Sequence, residues 1–305
     1  MIVSVTVISY NSSATIIDTL ESIVSQSVGA NNIELIVSDD CSSDDTLKKI
    51  EKWISEFGGM FYSTRVISSD RNTGVSSNIN RAWKAATSEW IKSIAADDVL
   101  MPDCVKDNLV AVNNDQDIVC LFSRMEEFSC VNNKKIRLLP SRLNMSLFNL
   151  EARDQFEFLL KKSFNIAPTA FLKRDLLAEV DWADERFEMI EDLPLWLKIT
   201  GSEHRLRFLD KVTVRYRIGD SITTPADVFV NELFLLQKIR IFRVLICPNL
   251  GVKDLLFIVD RYVDLYSQLV IKALTSNRKG VLSVMLVKLV RFFRPYWYLS
   301  KFMNV

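Results

Sequence analysis

The chain has 305 residues, 49% of them hydrophobic, with 38 Lys+Arg balanced by 38 Asp+Glu and a single histidine. A formal charge of zero argues against a nucleic-acid binder, which needs a basic surplus. One histidine excludes a His-rich zinc centre and leaves His204 as the sole base available to any Ser–His–Asp triad.

Five cysteines (Cys41, Cys104, Cys120, Cys130 and Cys247) are scattered with no CxxC pair and read as reduced thiols of a cytosolic protein. The opening "MIVSVTVISY" alternates apolar residues with Ser and Thr, the period of a strand at Ile2–Ile8 rather than a signal peptide. A helix follows, with Ile16, Ile17, Leu20, Ile23 and Val24 on one face. "IELIVS" (33–38) is a second strand running into "DDCSSDDT". The next helix carries Leu47, Ile50, Ile54 and Phe57, with Ser42 or Ser43 as its expected N-cap. "RVISS" (65–69) is a third strand ending at "DRNTG". After a helix through Ala82, Trp83 and Ala86, a fourth strand ends in Asp97-Asp98.

Strand–helix repetition with short loops implies a parallel sheet with right-handed crossovers, whose ligands sit at the carboxyl ends of strands. Those ends are polar throughout: Ser9, Tyr10 and Asn11; Asp39 and Asp40; Asp70, Arg71 and Asn72; Asp97 and Asp98. An isolated Asp-Asp is most simply a solvated strand end or a helix N-cap. Four polar ends on one rim instead form an oxygen-rich patch suited to a divalent cation on a diphosphate. With so few nitrogen and sulfur donors, that cation would be Mg²⁺ or Mn²⁺.

From about 116 to 225 strands (Ile118–Phe122, Thr169–Leu172, Val212–Arg217) mix with helices (Asp154–Lys162, Leu193–Thr200), and from Ala226 onward the pattern is helical, with Pro295 as a breaker. No uncharged apolar run approaches the ~20 residues needed to span a bilayer. After Asp264 there is no acidic residue, while Lys272, Arg278, Lys279, Lys288, Arg291, Arg294 and Lys301 lie among Leu, Val and aromatics. Such a tail either packs as a helical subdomain with its cations in water, or lies on an anionic membrane surface; interleaved cations and aromatics favour the second.

Four blocks, "VSVTVISYNSSATIIDTLESIVSQ", "IELIVSDDCSSDDT", "RNTGVSSNINRAWKAATSEWIKSIAADDVLMPD" and "FEMIEDLPLWLKIT", together resemble the family-2 glycosyltransferases, inverting enzymes of the GT-A fold, in order and at the family's spacing. The resemblance implies an α/β GT-A domain over 1–225, with a nucleotide-binding half (1–103) and an acceptor-binding half (104–225), and a helical, membrane-associating region over 226–305. It implies that Ser9, Tyr10 and Asn11 border the nucleotide base, and that one of Asp39 and Asp40, by preference Asp40, accepts from a pyrimidine N3–H. Arg71 would lie near base and phosphates, Asp97 at the ribose, and Asp98 on a Mn²⁺ or Mg²⁺ ion. "EDLPLW" (191–196) reads physically as an acidic helix N-terminus with Pro194 in the first turn. By resemblance Asp192 is the catalytic base and Glu191 orients it or holds the acceptor. Trp196 is more simply core than a sugar platform.

The chain departs from the family pattern in carrying Ala95 where fuller metal signatures have a further acid, and Ile79 where an arginine is frequent. "YRIGDS" (216–221) has Gly219 in place of a histidine, which leaves Arg215 or Arg217 as candidate phosphate contacts. The "QxxRW" block of processive synthases is missing, so the expectation is transfer of a single hexosyl or N-acetylhexosaminyl unit from a nucleotide-diphosphate sugar, UDP favoured. The acceptor would be a lipid-linked or growing bacterial surface glycan of the O-antigen or capsule type, at the inner face of the cytoplasmic membrane. Two alternatives stand beside this reading: a non-catalytic nucleotide-sugar-binding subunit, and, with less support, a sugar-1-phosphate nucleotidyltransferase, which would want a Gly-rich basic loop where "SYNSSAT" stands. A Rossmann dehydrogenase lacks its GxGxxG.

Overall fold

A computed structural model describes residues 1–130, 134–219 and 228–302. The chain divides into two compact units, Met1–Gly219 and Asp220–Val305; the domain boundary expected at 225/226 lies outside the described residues.

In the first unit the described strands form one mixed sheet in the order β3-β2-β1-β4-β8-β6-β9-β5, with β7 added on β6. Its parallel half comprises β1 (Val3–Ser9), β2 (Ile33–Asp39), β3 (Ser63–Ser68) and β4 (Trp90–Ala95), each joined to the next by a helix: α1 (Ile16–Val24), α2 (Thr46–Phe57) and α3 (Val75–Ala85). This is the strand–helix–strand crossover pattern that the alternation predicts. β2 is buried along its whole length, including Glu34. That carboxylate is tolerated because Ser4, the Thr87 amide (2.8 Å) and the Thr87 hydroxyl (2.9 Å) all donate to it.

The remaining elements are β5 (Val99–Leu100), α4 (Cys104–Asn114), β6 (Cys120–Ser129), β7 (Lys135–Leu139), α5 (Ala152–Lys161), β8 (Phe171–Lys173), α6 (Arg174–Glu179), α7 (Asp192–Gly201) and β9 (Arg207–Ile218). β8 runs antiparallel to both β4 and β6, β9 is parallel to β6, and β5 is antiparallel to β9. β6 and β9 are longer than their apolar runs suggest. Outside the buried stretch they are held by ladder hydrogen bonds and cross-strand ion pairs such as Arg215–Glu126 (3.3 Å), which hydrophobic periodicity does not register.

The expected cap of α2 is corrected. Asp45, not Ser42 or Ser43, occupies the N-cap, and the Asp44 carboxylate accepts the Thr46 amide at 2.9 Å. Ser42 and Ser43 instead bond back to the loop after β1.

The second unit is helical: α8 (Glu232–Ile241), α9 (Leu255–Leu274), α10 (Val281–Arg291) and α11 (Pro295–Phe302). Asn231 caps α8 by accepting the Phe234 amide at 3.1 Å. Phe242, Phe257, Tyr262 and Tyr296 pack edge to face in its core. Pro295 opens α11, where a missing N–H costs nothing. No described helix is long and apolar enough to cross a membrane.

Candidate active site

The carboxyl ends of β1, β2 and β4 lie side by side because the strands are parallel and in register, Ser9 opposite Asp39 and Ile8 opposite Ala95. At the first two ends the chain turns through left-handed backbone at Asn11 (φ 49°) and Cys41 (φ 64°), conformations that most side chains avoid. The two loops lock together. The Asn11 amide donates to the Ser42 hydroxyl (2.8 Å), the Ser43 amide donates to Asn11 Oδ1 (2.8 Å), and the Ser12 amide donates to Thr46 Oγ1 (2.7 Å). Tyr10 stands exposed beside them.

Asp39 and Asp40 are both buried. Asp39 accepts from the Ser9 hydroxyl (2.8 Å) and from the Ser42 hydroxyl (2.6 Å) and amide (2.8 Å). Asp40 accepts from the Thr73 amide (2.9 Å) and hydroxyl (2.7 Å), the Gly74 amide (2.8 Å) and Arg81 (2.7 Å). A carboxylate offers about four acceptor positions, so Asp40 is saturated within the chain and Asp39 keeps one. Arg71 is exposed in the same turn.

The Asp97-Asp98 turn is held from three sides. Thr15 and Thr19 of α1 donate to the carbonyls of Ala96 (2.8 Å) and Asp98 (2.7 Å), and Arg217 Nε donates to the Asp97 carbonyl (2.8 Å). Asp98 is fully buried. Its Oδ1 accepts the Arg217 amide at 2.9 Å, while its Oδ2 has no hydrogen-bond partner among the described residues. Burial raises the Asp98 pKa well above the usual carboxylate value, and the charge of Asp97 adds to this against Arg217 and Lys92. Asp97 lies at the surface, yet it is hemmed in closely enough that desolvation raises its pKa too. Behind the pair Lys92 is fully buried, donating to the Pro168 and Ala170 carbonyls; burial pulls its pKa down to about 8.

Glu191 is the N-cap residue of α7 and Asp192 its first residue, both half-buried, with Asp192 Oδ1 accepting the Leu193 amide at 2.7 Å. Desolvation, then the neighbouring Asp192 charge, pushes Glu191 up to about 8; desolvation also raises Asp192. Tyr216 of β9 feels the charges of both acids of the β4 turn and of Glu191 at the start of α7. Burial, followed by the charges of Asp98, Asp97, Glu127 and Glu191, pushes its hydroxyl up to about 12, so all four acids lie within electrostatic reach of one phenol.

The loop that delivers α7 is pinned by α3, which sequence reading missed. Asn80 donates to the Ala183 carbonyl (2.9 Å) and to Glu185 (2.8 Å), and it accepts the Ala183 amide (2.9 Å). Ser76 donates through its amide to Glu188 O (3.3 Å) and through its hydroxyl to Phe187 O. The run "RNTGVSSNINRAW" carried the available signal: polar residues on both sides of a short helix where one wet face suffices.

Arg215, Arg217 and Trp196 each have partners within the chain. Arg217 pairs with Asp18 at 2.8 Å besides holding the Asp97 carbonyl, and Arg215 pairs with Glu126 over the Phe128 ring. Trp196 is 4% exposed and packs edge-on to Phe122 (4.7 Å between centroids), presenting no face to a sugar. Asp220 and Ser221 of "YRIGDS" lie outside the described residues. A hollow of about 440 Å³ beside Asp181–Arg186 and Lys198, and one of about 270 Å³ beside Phe148 and Arg207, contain none of the paired acids.

No group of three acidic, His or Cys side chains converges among the described residues. A divalent ion here would take one or two protein oxygens and complete its shell from a diphosphate and water, as such ions do. The buried, unpartnered Asp98 Oδ2 is the donor such an ion requires, so the residues fit.

A half-parallel mixed sheet flanked by helices, with paired acids at its carboxyl edge and two more at a later helix N-terminus, defines a nucleotide-sugar transferase fold of the GT-A type. The glycosyl transferase family 2 model matches residues 4–181, and the chain belongs to that family. It is 22% identical over 171 residues to the uncharacterized glycosyltransferase MJ1057 of Methanocaldococcus jannaschii, covering 56% of each chain. It is 24% identical over 235 residues to the poly(ribitol-phosphate) beta-N-acetylglucosaminyltransferase TarS of Staphylococcus aureus, covering 74% of this chain and 38% of TarS. The chain thus spans well under two thirds of these relatives' lengths. Among solved structures, TarS 1-349 in complex with UDP-GlcNAc superposes with a TM-score of 0.60 at 19% identity, covering 88% of this chain and 81% of that one. GalNAc-T7 with UDP, GalNAc and Mn2+ gives 0.60 at 16% identity, covering 86% and 51%.

Proposed function

We propose that this glycosyltransferase moves one hexosyl or N-acetylhexosaminyl unit from a UDP-sugar to a hydroxyl of a lipid-linked or growing surface glycan, with inversion at the anomeric carbon. What supports the reading is the buried Asp98, whose Oδ2 has no hydrogen-bond partner among the described residues, together with the charges of Asp97, Asp98 and Glu191 all bearing on the Tyr216 hydroxyl. Tyr10, Asn11, Asp39, Asp40 and Arg71 border the base. Asp39 has the open acceptor position for the N3–H, and Asp40 reaches it when the Thr73 hydroxyl turns away. Asp97 receives the ribose. Asp98, with Asp97 beside it, would hold Mn²⁺ or Mg²⁺, which neutralises charge developing on the departing diphosphate.

Asp192 takes the proton from the attacking hydroxyl. Its raised pKa makes it a stronger base than an exposed aspartate, and a positioned base is worth ~10²–10⁴-fold. Glu191, protonated at neutral pH, keeps a second negative charge away from that base and donates to the acceptor. The cations and aromatics interleaved along the C-terminal helices support a location at the inner membrane face. A family member binding nucleotide sugar without catalysis is the competing reading; survival of both Asp98 and Asp192 favours the enzyme.

The test is a thermal-shift and transfer screen across nucleotide sugars with and without Mn²⁺. Asp98→Ala should abolish the metal-dependent part of the donor shift, and Asp192→Asn should keep donor binding while losing at least ~10²-fold in transfer. Full activity in Asp192→Asn would remove the base assignment.

A further inference from the structure

The helical unit leaves an unusual amount of apolar surface facing outward. On α10, Val281, Met285 and Leu289 follow one another at helical spacing with Phe292 just beyond the last turn, and they are 79%, 62%, 55% and 74% exposed. Phe293 is exposed beside them, and Tyr298 and Leu299 follow on α11. On α9, Leu255, Val259, Tyr266, Val270 and Leu274 make a second exposed stripe. Scattered exposed leucines need no explanation, but a continuous stripe does.

The charges sort the same helices. Arg294 donates to both Asp260 and Asp264, and Lys272 pairs with Glu232, so those two cations are neutralised within the unit. Lys279 precedes α10, Lys288 falls in the middle of its apolar stripe, and Arg291 lies over the Trp297 ring at 5.4 Å; all three are exposed. No acidic residue follows Asp264 in the sequence. A cation inside an apolar stripe, with aromatics at one end, suits a boundary where hydrocarbon and negative charge meet within one side-chain length. Eleven residues span ~16 Å, too short to cross a ~30 Å hydrocarbon layer, so the helix fits along such a boundary and not through it.

We propose that the Val281–Met285–Leu289–Phe292 face of α10 docks in the plane of an anionic phospholipid bilayer, with Lys279, Lys288 and Arg291 among the headgroup phosphates. This deepens the membrane location given above and does not depend on the transfer chemistry. Donor binding is a separate readout, so either reading can fail alone.

The experiment is co-flotation of the full chain with vesicles of phosphatidylcholine, alone or with 30 mol% phosphatidylglycerol, at low and high salt. Binding should require phosphatidylglycerol and weaken with salt. Lys279→Gln with Lys288→Gln should reduce partitioning by roughly fivefold per cation removed, about 25-fold together. Met285→Glu with Leu289→Glu should abolish flotation while the melting temperature and the UDP-induced thermal shift stay unchanged. The lysine pair keeps the test decisive should the glutamate pair lower the melting temperature. Absence of flotation, equal binding to neutral vesicles, or flotation indifferent to the lysine pair overturns the proposal. So does a dimer, seen by light scattering, that Met285→Glu/Leu289→Glu dissociates in a protein that ignores vesicles.

Discussion

Gly74→Ala tests whether the proposed nucleotide side of the site and the proposed base, Asp192, are mechanically one piece. Gly74 sits at φ +85°, where an L side chain is strained by about 1–3 kcal/mol. An added Cβ would lie 2.7 Å from the Glu188 carbonyl oxygen and 2.8 Å from Glu188 Cβ. Restoring ordinary contact means parting two backbones by roughly 0.7 Å. Neither side yields easily: the Gly74 amide is held by Asp40, and the Glu188 carbonyl by the Ser76 amide. Glu188 lies three residues before Glu191, so the displacement passes into the N-terminus of α7. A shift near 1 Å at a reacting group costs about 10²-fold, and the expected loss in kcat is of that order. Donor KM should rise less, since the variant keeps every donor to Asp40. Steady-state transfer kinetics and a thermal melt read both effects, with Gly59→Ala, whose Cβ would meet nothing within 4 Å, as control. If Gly74→Ala keeps wild-type kcat and melting temperature, the coupling through Glu188 does not exist.

Further outcomes concern charge and packing. Glu191 is raised from 4.5 to about 8 on folding, so stability from its bound proton is complete below pH 4.5 and lost as pH rises through about 8. Melting temperatures of Glu191→Gln should therefore hold up better than wild type between pH 5 and 9, and parallel profiles would refute the shift. Arg81→Met strips buried Asp40 of its ion-pair partner, with an expected destabilisation of about 2–4 kcal/mol by urea unfolding; a loss below ~1 kcal/mol would show the pair to be dispensable. Trp196→Phe removes an indole N–H that has no partner among the described residues and should change stability by no more than about 2 kcal/mol and leave acceptor KM unaltered; a large KM effect would give it a sugar-platform role.

Much of this was legible in order along the chain. β1, β2 and β4 announced themselves as short apolar runs, and α1 through its 3.6-residue spacing, because local periodicity reports directly on burial in an open α/β sheet. Asp97-Asp98 and "EDLPLW" stood out as acids at element ends. The ion pairs of Arg215 and Arg217 were not legible. Each arginine found a carboxylate far away in sequence, Glu126 and Asp18, and periodicity carries no information about such pairings. The cap of α2 moved for a related reason: Ser42 and Ser43 had partners in the loop after β1 that outweighed a local capping bond.

The sequence by itself determined that polar residues end each parallel strand and that acids open a later helix, since strand period and helix-terminal chemistry are local properties. Only the tertiary structure decided which of those groups remain available. It saturated Asp40 and left Asp98 Oδ2 without a donor among the described residues, because whether a polar atom is satisfied depends on residues that folding brings from elsewhere in the chain.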